Sequence, residues 1–136
     1  MINTVLLDLY GVLYPDQNNQ ATNFIAKIKD LGIRIIAVTN LSPDSARQIC
    51  DQHSIITAYI CQEIGLDKTD PQLYEKILED NDLTTASMIM LDDTCANLAA
   101  AKMVGIKTVY FGQNACPGSD EVINSLSDFL LILNKK

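Results

Sequence analysis

Short apolar runs alternate with amphipathic stretches along the chain. The runs contain aliphatic and β-branched residues without polar alternation, which is typical of strands buried on both faces of a parallel sheet. The first run ends at Asp8, and the others lie at residues 34–39, 58–61, 87–91 and 107–111. These runs predict a sheet of five strands.

Apolar residues at helical spacing fill most of the intervals between the runs. Serine or aspartate followed by proline is a signal for the start of a helix, and glycine is a signal for its end. Two of the predicted helices begin at Ser42-Pro43 and Asp70-Pro71, and two end at Gly32 and Gly105. Strands therefore alternate with helices, which is typical of an α/β protein.

Alternating strands and helices of these lengths predict a three-layer α/β/α sandwich with a mainly parallel, Rossmann-like sheet. We expect residues 1–136 to form a single domain. After the fifth strand we expect a helix from about Glu121, whereas the apolar stretch at residues 129–133 fits either a helix or a strand.

The formal net charge of −7 argues against a nucleic-acid partner bound through a basic surface. A phosphorylated substrate is compatible with this charge, because a metal ion can supply positive charge locally. No apolar run approaches the roughly 20 residues of a membrane span, so we expect no membrane partner. The sequence gives no signal for the oligomeric state.

The four cysteines form no Cys-x-x-Cys pair, and no basic, apolar signal peptide stands before them. We therefore expect a cytoplasmic protein with reduced thiols. Small core residues are the expected role of these cysteines.

Polar side chains follow several of the predicted strands. Asp8 follows the first strand, Thr39-Asn40 ends the second, Lys68 lies shortly after the third, and Asp92-Asp93 follows the fourth. Because parallel strands end at one edge of the sheet, these groups are expected to lie together. Carboxylate oxygens suit Mg²⁺, and the lysine, threonine and asparagine supply donors for a phosphoryl group.

Each of these residues also has a structural explanation when taken singly. Asp8 fits a turn cap, Asp92-Asp93 fits the N-terminus of a helix, and Lys68 fits a solvated surface residue. The occurrence of all of them in this order is what favours a site.

The chain resembles the haloacid-dehalogenase-like (HAD) hydrolase superfamily over residues 4–112. The first motif is residues 8–13, where the nucleophile of the family falls on Asp8. The second is Thr39 with Asn40 beside it, the third is Lys68 before Asp70-Pro71, and the fourth is Asp92-Asp93.

This resemblance implies a Mg²⁺-dependent phosphohydrolase that forms an aspartyl phosphate on Asp8. It implies Mg²⁺ ligands at Asp8, Asp93 and the backbone carbonyl of Tyr10, with Asp92 in the outer shell or bound through water. It implies that Thr39, Asn40 and Lys68 hold the phosphoryl group, which comes from a phosphorylated small molecule or macromolecule.

The chain departs from the phosphatase pattern in two ways. Tyr10 stands where those phosphatases carry a second aspartate, which acts on the leaving group as an acid and base. A cap domain is also absent, since one loop and one helix occupy the segment between Asp8 and the second strand. We therefore expect weak activity, or selectivity for good leaving groups or large substrates.

Two alternatives stay open. The missing acid and cap fit a non-catalytic HAD-fold module that binds metal or a partner. Tyr10 alone resembles the 2-haloacid dehalogenases, but these need no metal, lack the paired acids of the fourth motif and bind substrate with an arginine of the cap.

Overall fold

The structure, a computed structural model, describes residues 1–16 and 19–135. Its strands form one sheet in which every pair of neighbours is parallel, in the order β3-β2-β1-β4-β5-β6. They are β1 (Thr4–Leu7), β2 (Arg34–Thr39), β3 (Thr57–Ile60), β4 (Met88–Asp92), β5 (Lys107–Phe111) and β6 (Glu121–Ile123). The predicted α/β fold is confirmed, with six strands rather than five.

Helices follow most of the strands. They are α1 (Gln20–Asp30), α2 (Pro43–Gln52), α3 (Cys61–Ile64), α4 (Pro71–Asn81), α5 (Cys95–Val104) and α6 (Leu126–Asn134). The predicted caps are present, since the side chain of Ser42 accepts a hydrogen bond from the Ser45 N–H and that of Asp70 accepts one from the Gln72 N–H. The single turn of α3 was not predicted.

The sheet separates two hydrophobic cores. Within β1, Val5 and Leu7 contribute to one core and Leu6 to the other, and all three are fully buried. Helices α1, α2 and α6 supply the first core, and α4 and α5 supply the second. This arrangement explains why the central strands lack polar alternation, because both of their faces are covered.

The tail differs from its prediction. Residues Glu121–Ile123 extend the sheet beside β5, so the helix expected from about Glu121 is wrong. The helix begins instead at Leu126, where the side chain of Ser125 accepts a hydrogen bond from the Asp128 N–H. The open assignment of residues 129–133 is thereby answered, because they lie within α6.

A disulfide joins Cys95, the first residue of α5, to Cys116 in the loop after β5. The expectation of reduced thiols is therefore wrong for these two cysteines. Cys50 and Cys61 are free and buried, as expected of small core residues. The fold brings the paired Cα atoms to 5.6 Å although 21 positions separate them in sequence.

Between β1 and β2, the described residues form a tight turn followed by α1, with no cap domain inserted. Among the described residues, no inserted domain therefore covers the carboxyl edge of the sheet after β1. Among residues 1–16 and 19–135, the structure contains no helix with the length and apolar character that crossing a membrane requires.

Candidate active site

The candidate site lies at the carboxyl ends of β1 and β4, where the chain order of the sheet reverses. This position is a common ligand site in open parallel sheets. Leu7 of β1 pairs with Leu91 of β4, and the N–H of Asp8 donates to the carbonyl of Leu91 over 3.1 Å. Asp8 and Asp92 are the next residues along the two strands, so the register brings their carboxylates together.

Lys68 lies between these two carboxylates. Its Nζ is 2.7 Å from Asp8 Oδ1 and 2.7 Å from Asp92 Oδ2. The Lys68 side chain is 2% exposed, so the structure contradicts a solvated surface residue. The third predicted motif therefore enters the site from the segment before α4.

Asp92 and Asp93 differ in their surroundings. Asp92 is fully buried, and its Oδ1 accepts a 2.8 Å hydrogen bond from the Thr94 N–H. The side-chain amide of Asn97 donates to both of its oxygens. Asp93 is only partly buried and lines the open cavity. Asp92 is thus held by the protein, whereas Asp93 faces the space where a ligand can enter.

Gly11 allows Asp93 to lie against the turn that follows β1. Its φ of +95° is in the left-handed region, and a Cβ built there would lie 2.0 Å from Asp93 Oδ2. Only glycine tolerates both conditions without displacement of the carboxylate. The glycine after Asp8 therefore serves the site through its backbone.

The site opens into a cavity of about 350 Å³. Every predicted site residue except the buried Asp92 lines it, and Leu41, Thr94 and Asn97 complete the lining. Thr39 is buried and its Oγ1 accepts a 3.0 Å hydrogen bond from the Leu41 N–H, which leaves the hydroxyl hydrogen available as a donor. Asn40 is exposed at the rim.

Carboxylate oxygens of Asp8, Asp92 and Asp93 lie within 4.8 Å of one another. Of the described side chains that line the cavity, Lys68 alone is cationic. One ammonium therefore faces three carboxylates, and these hard oxygen donors fit a divalent cation such as Mg²⁺. The structure thus brings together the three carboxylates that are predicted metal residues.

The imbalance of charge changes the proton affinity of the buried groups. Burial raises the pKa of Asp8 to about 8, with Lys68 opposing and the Asp92 charge adding to this shift. Burial likewise raises the pKa of Asp92 although Lys68 opposes it. Burial disfavours the charged Lys68, but Asp8 and Asp92 raise its pKa above the ordinary value. In the metal-free protein, Asp8 therefore retains its proton below about pH 8, beside the charged Lys68.

We expect the metal-free protein to lose stability as the pH rises from about 4 to about 8. The folded Asp8 holds its proton up to a pKa of about 8, whereas the unfolded residue loses it near 3.8. The folded state thus binds more protons in this interval, so the free energy of unfolding decreases with rising pH. Urea unfolding in EDTA at several pH values measures this slope.

The matched control is Asp8→Asn, which removes the titrating carboxyl and leaves Lys68 with Asp92 alone. Because other groups also titrate, the informative quantity is the difference in slope between wild type and variant. We expect the free energy of unfolding to decrease less steeply with rising pH in Asp8→Asn than in the wild type. Equal slopes would contradict the assignment of the retained proton to this pair of carboxyls.

Two supporting residues were not predicted as part of the site. The hydroxyl of the buried Tyr74 donates to the carbonyl of Lys68 over 2.6 Å and so fixes the backbone that carries the lysine. Asn97 holds Asp92, as described above. An asparagine in the first turn of the helix after two acids is a usable signal for such a contact, whereas a tyrosine at helical spacing ordinarily indicates core packing.

A family model for haloacid dehalogenase-like hydrolases matches residues 16–105. The chain belongs to this family. The match includes the second, third and fourth motifs, while Asp8 precedes it. The role of Asp8 is therefore inferred from its position beside Lys68 and β4 and from the motif itself.

The sesquiterpene phosphatase astK of Aspergillus oryzae is 27% identical to the chain over 100 residues, which are 71% of this chain and 50% of that protein. The chain thus spans about half the length of this curated relative. The activity and substrate of the relative are consequently not assigned to the chain by the match alone.

Solved structures share the fold at low sequence identity. The L-2-haloacid dehalogenase of Xanthobacter autotrophicus with covalently bound chloropropionic acid has a TM-score of 0.79 at 11% identity, over 98% of both chains. CbbY of Rhodobacter sphaeroides in complex with phosphate has a TM-score of 0.77 at 15% identity, over 95% of this chain and 96% of the other. These similarities show the fold and do not separate a dehalogenase from a phosphatase.

Proposed function

We propose that the protein is a Mg²⁺-dependent phosphohydrolase that acts through an aspartyl phosphate on Asp8. The observation that carries this proposal is the buried Lys68 bridging Asp8 and Asp92, with the partly exposed Asp93 beside them. A dehalogenase that works without metal has no use for two further carboxylates next to its nucleophile. Metal-dependent phosphoryl transfer uses all of them.

Asp8, Asp93 and the backbone carbonyl of Tyr10 would hold Mg²⁺. The bound ion would offset the charge of the carboxylates and of the phosphoryl oxygens. Asp92 would lie in the outer shell of the metal, because its oxygens already accept hydrogen bonds from Thr94, Asn97 and Lys68. Its full burial supports this outer position.

The remaining polar residues would bind the phosphoryl group. One Asp8 oxygen is held by Lys68, which would leave the other to attack phosphorus. The bond from phosphorus to the leaving oxygen would break as the Asp8–phosphorus bond forms, and the leaving oxygen would take its proton from water. The Thr39 hydroxyl and the Asn40 amide would donate to phosphoryl oxygens, and Lys68 would also stabilise their charge. Water would then hydrolyse the aspartyl phosphate and restore Asp8.

We propose a phosphorylated small molecule as the substrate class. Support comes from the cavity volume of about 350 Å³ and from the relative named as a sesquiterpene phosphatase. A phosphorylated macromolecule is an alternative because the edge carries no cap among the described residues. The lack of a carboxylic acid at Tyr10 favours substrates with good leaving groups.

Tyr10 also supports a second candidate function, a binding module that holds Mg²⁺ or phosphate without turnover. The dehalogenase is the third candidate and rests on Tyr10 only. Assays of phosphate release and chloride release, each with Mg²⁺ and with EDTA, separate the three. Phosphate release that requires Mg²⁺ supports the proposed function, whereas chloride release in EDTA contradicts it.

We expect Asp93→Ala to weaken Mg²⁺ binding by at least about tenfold, because it removes the carboxylate that faces the open cavity. Isothermal titration calorimetry with MgCl₂ measures the affinity directly. Phosphate release by the same variant should fall at a fixed, subsaturating Mg²⁺ concentration.

Asp30→Ala is the matched control for this change of charge. Asp30 is exposed at the end of α1, before β2 begins, and so lies away from the carboxyl edge. Its Mg²⁺ affinity should equal that of the wild type. Unchanged Mg²⁺ binding in Asp93→Ala would exclude Asp93 as a ligand.

We further propose that residues 1–136 act as one capless domain in the cytoplasm. Disulfides are typical of oxidising compartments, so a cytoplasmic location requires Cys95 and Cys116 to be mainly reduced in cells, and their oxidation there would contradict it. Trapping of free thiols in intact cells, followed by mass spectrometry, reports the fraction of each cysteine that is reduced.

A further inference from the structure

The turn after β1 holds two tyrosines outward at the edge of the site. Its backbone is closed by hydrogen bonds from the N–H of Tyr14 to the carbonyl of Leu9 over 3.0 Å and from the N–H of Gly11 to the carbonyl of Tyr14 over 2.8 Å. Leu9, Val12 and Leu13 are buried and anchor the turn in the core. The backbone that carries the two aromatic side chains is therefore held in place.

Both tyrosines expose apolar surface next to each other. Tyr10 is 57% exposed and Tyr14 is 51% exposed. Their ring centroids lie 6.2 Å apart with the planes tilted by 44°. Large apolar side chains with this exposure are not needed for the core, and together they form a continuous aromatic surface that we term the tyrosine wall.

The two tyrosines of the wall line different hollows. Tyr10 lines the cavity that contains Asp8 and Lys68. Tyr14 lines a second cavity of about 370 Å³ with a mixed lining, which is apolar at Phe111 and Leu126 and polar at Asp16 and Asn124. Because the two rings lie side by side, a molecule whose phosphate lies at Asp8 can contact Tyr10 and extend toward Tyr14.

We propose that the tyrosine wall binds the leaving group of the substrate and that this group is a flat aromatic ring. The inference rests on the proposed phosphohydrolase site, because it places the phosphate at Asp8. Tilted and offset aromatic contacts favour a planar partner. The turn fixes the backbone that carries both rings before binding, which lowers the entropy cost of binding to them.

Charge strengthens this argument. The chain has a net charge of −7, and Lys68 is the cation among the described side chains of the phosphate cavity. An anionic substrate consequently gains little from general electrostatic attraction. An uncharged aromatic contact adds affinity and selectivity without a further cation.

The test measures binding rather than turnover. In an Asp8→Asn background with Mg²⁺, fluorescence anisotropy gives the Kd of 1-naphthyl phosphate, and competition gives the Kd values of inorganic phosphate and octyl phosphate. We expect Tyr14→Ala to reduce the preference for naphthyl phosphate over inorganic phosphate by about fivefold. Tyr14→Phe should retain the preference.

Met103→Ala is the control, because Met103 is exposed on α5 and lies outside both hollows. It should leave the ratio of Kd values unchanged. A ratio unmoved by Tyr14→Ala would overturn the proposal, as would octyl phosphate binding as tightly as naphthyl phosphate. The proposal is also overturned if inorganic phosphate binds and naphthyl phosphate does not, or if neither of them binds.

Failure of the proposed function gives a different result. The wild type would then release no phosphate from phenyl, naphthyl or acetyl phosphate, while the Kd ratio in the Asp8→Asn background is still measured. A Tyr14-dependent ratio in a protein without turnover would support the tyrosine wall and reject the phosphatase. Phosphate release together with a Kd ratio that does not depend on Tyr14 would support the phosphatase and reject the tyrosine wall.

Discussion

Asp8→Asn is expected to reduce phosphate release by about 10⁴-fold or more, because the amide cannot form the aspartyl phosphate. The substitution retains the shape of the side chain and its place beside Lys68. The measurement is turnover of an aryl phosphate at saturating Mg²⁺. Beryllium fluoride, a phosphate mimic, should inhibit the wild type when Mg²⁺ is present.

The structure predicts that this loss is not a loss of folding. The metal-free wild type carries one buried ammonium beside two buried carboxyl groups, and Asp8 keeps its proton up to a pKa of about 8, so below that pH a neutral amide replaces a neutral carboxylic acid. The thermal midpoint of Asp8→Asn should therefore equal or exceed that of the wild type in EDTA. Asp30→Asn is the control with the same substitution at an exposed position away from the site, and it should turn over normally.

Normal turnover by a folded Asp8→Asn protein would exclude covalent catalysis at this position. A water nucleophile activated elsewhere would then be required. Mass spectrometry after rapid acid quench supplies an independent readout, since an aspartyl phosphate adds phosphate mass to the wild type and not to the variant.

The central part of the fold was predictable because its signals are local. The interiors of β1, β2 and β4 are buried on both faces, so after the first residue of β1 and of β2, and from the first residue of β4, the strands are apolar until they end. The polar residue after each such strand then marks the carboxyl edge. This reasoning predicts that Asp8, Thr39 and Asp92 lie at that edge.

Other features depend on contacts that the sequence does not record. A single lysine between a third strand and a helix resembles a surface residue, and only the fold shows that Lys68 is buried between two acids. The disulfide likewise requires that the loop after β5 return to the start of α5. β6 has three residues, too few for a pattern, and it forms because β5 offers an edge for pairing.

The two acids of the fourth motif illustrate the same limit. Both follow an apolar strand and precede a helix, so the local pattern does not distinguish them, and only the family resemblance predicts different roles. Their environments differ because Asp92 still belongs to β4 and points into the protein, whereas Asp93 lies against Gly11 at the opening. The burial of Asp92 and the partial exposure of Asp93 thus support the different roles that the resemblance implies for the two acids.

Tyr10→Asp is expected to raise the turnover of alkyl phosphates by about 10²- to 10⁴-fold if the site is a phosphatase that lacks only its acid. Tyr10 is largely exposed, so the smaller side chain fits without rearrangement. A carboxylic acid at this position can protonate the leaving oxygen. The gain should increase with the basicity of the leaving group, so alkyl phosphates benefit more than aryl phosphates.

Loss of the Tyr10 ring is a second consequence of this substitution, and Tyr10→Asn serves as the control for it. The asparagine variant removes the same part of the tyrosine wall without supplying an acid. We expect it to weaken the binding of naphthyl phosphate as Tyr10→Asp does, but to leave alkyl phosphate turnover at or below the wild-type rate. The difference between the two variants isolates proton donation from aromatic contact.

The ratio of turnover on an alkyl phosphate to turnover on an aryl phosphate, measured in all three proteins with and without Mg²⁺, decides among the candidate functions. A phosphatase shows a ratio that rises in Tyr10→Asp and depends on Mg²⁺. A binding module shows no turnover in any of the proteins, because more than the acid is missing. If the protein is a dehalogenase, the wild type releases halide without metal, and the Tyr10→Asp variant releases it more slowly. If the protein turns over phosphate but the ratio is equal in the Asp and Asn variants, Tyr10 does not stand where the leaving group receives its proton.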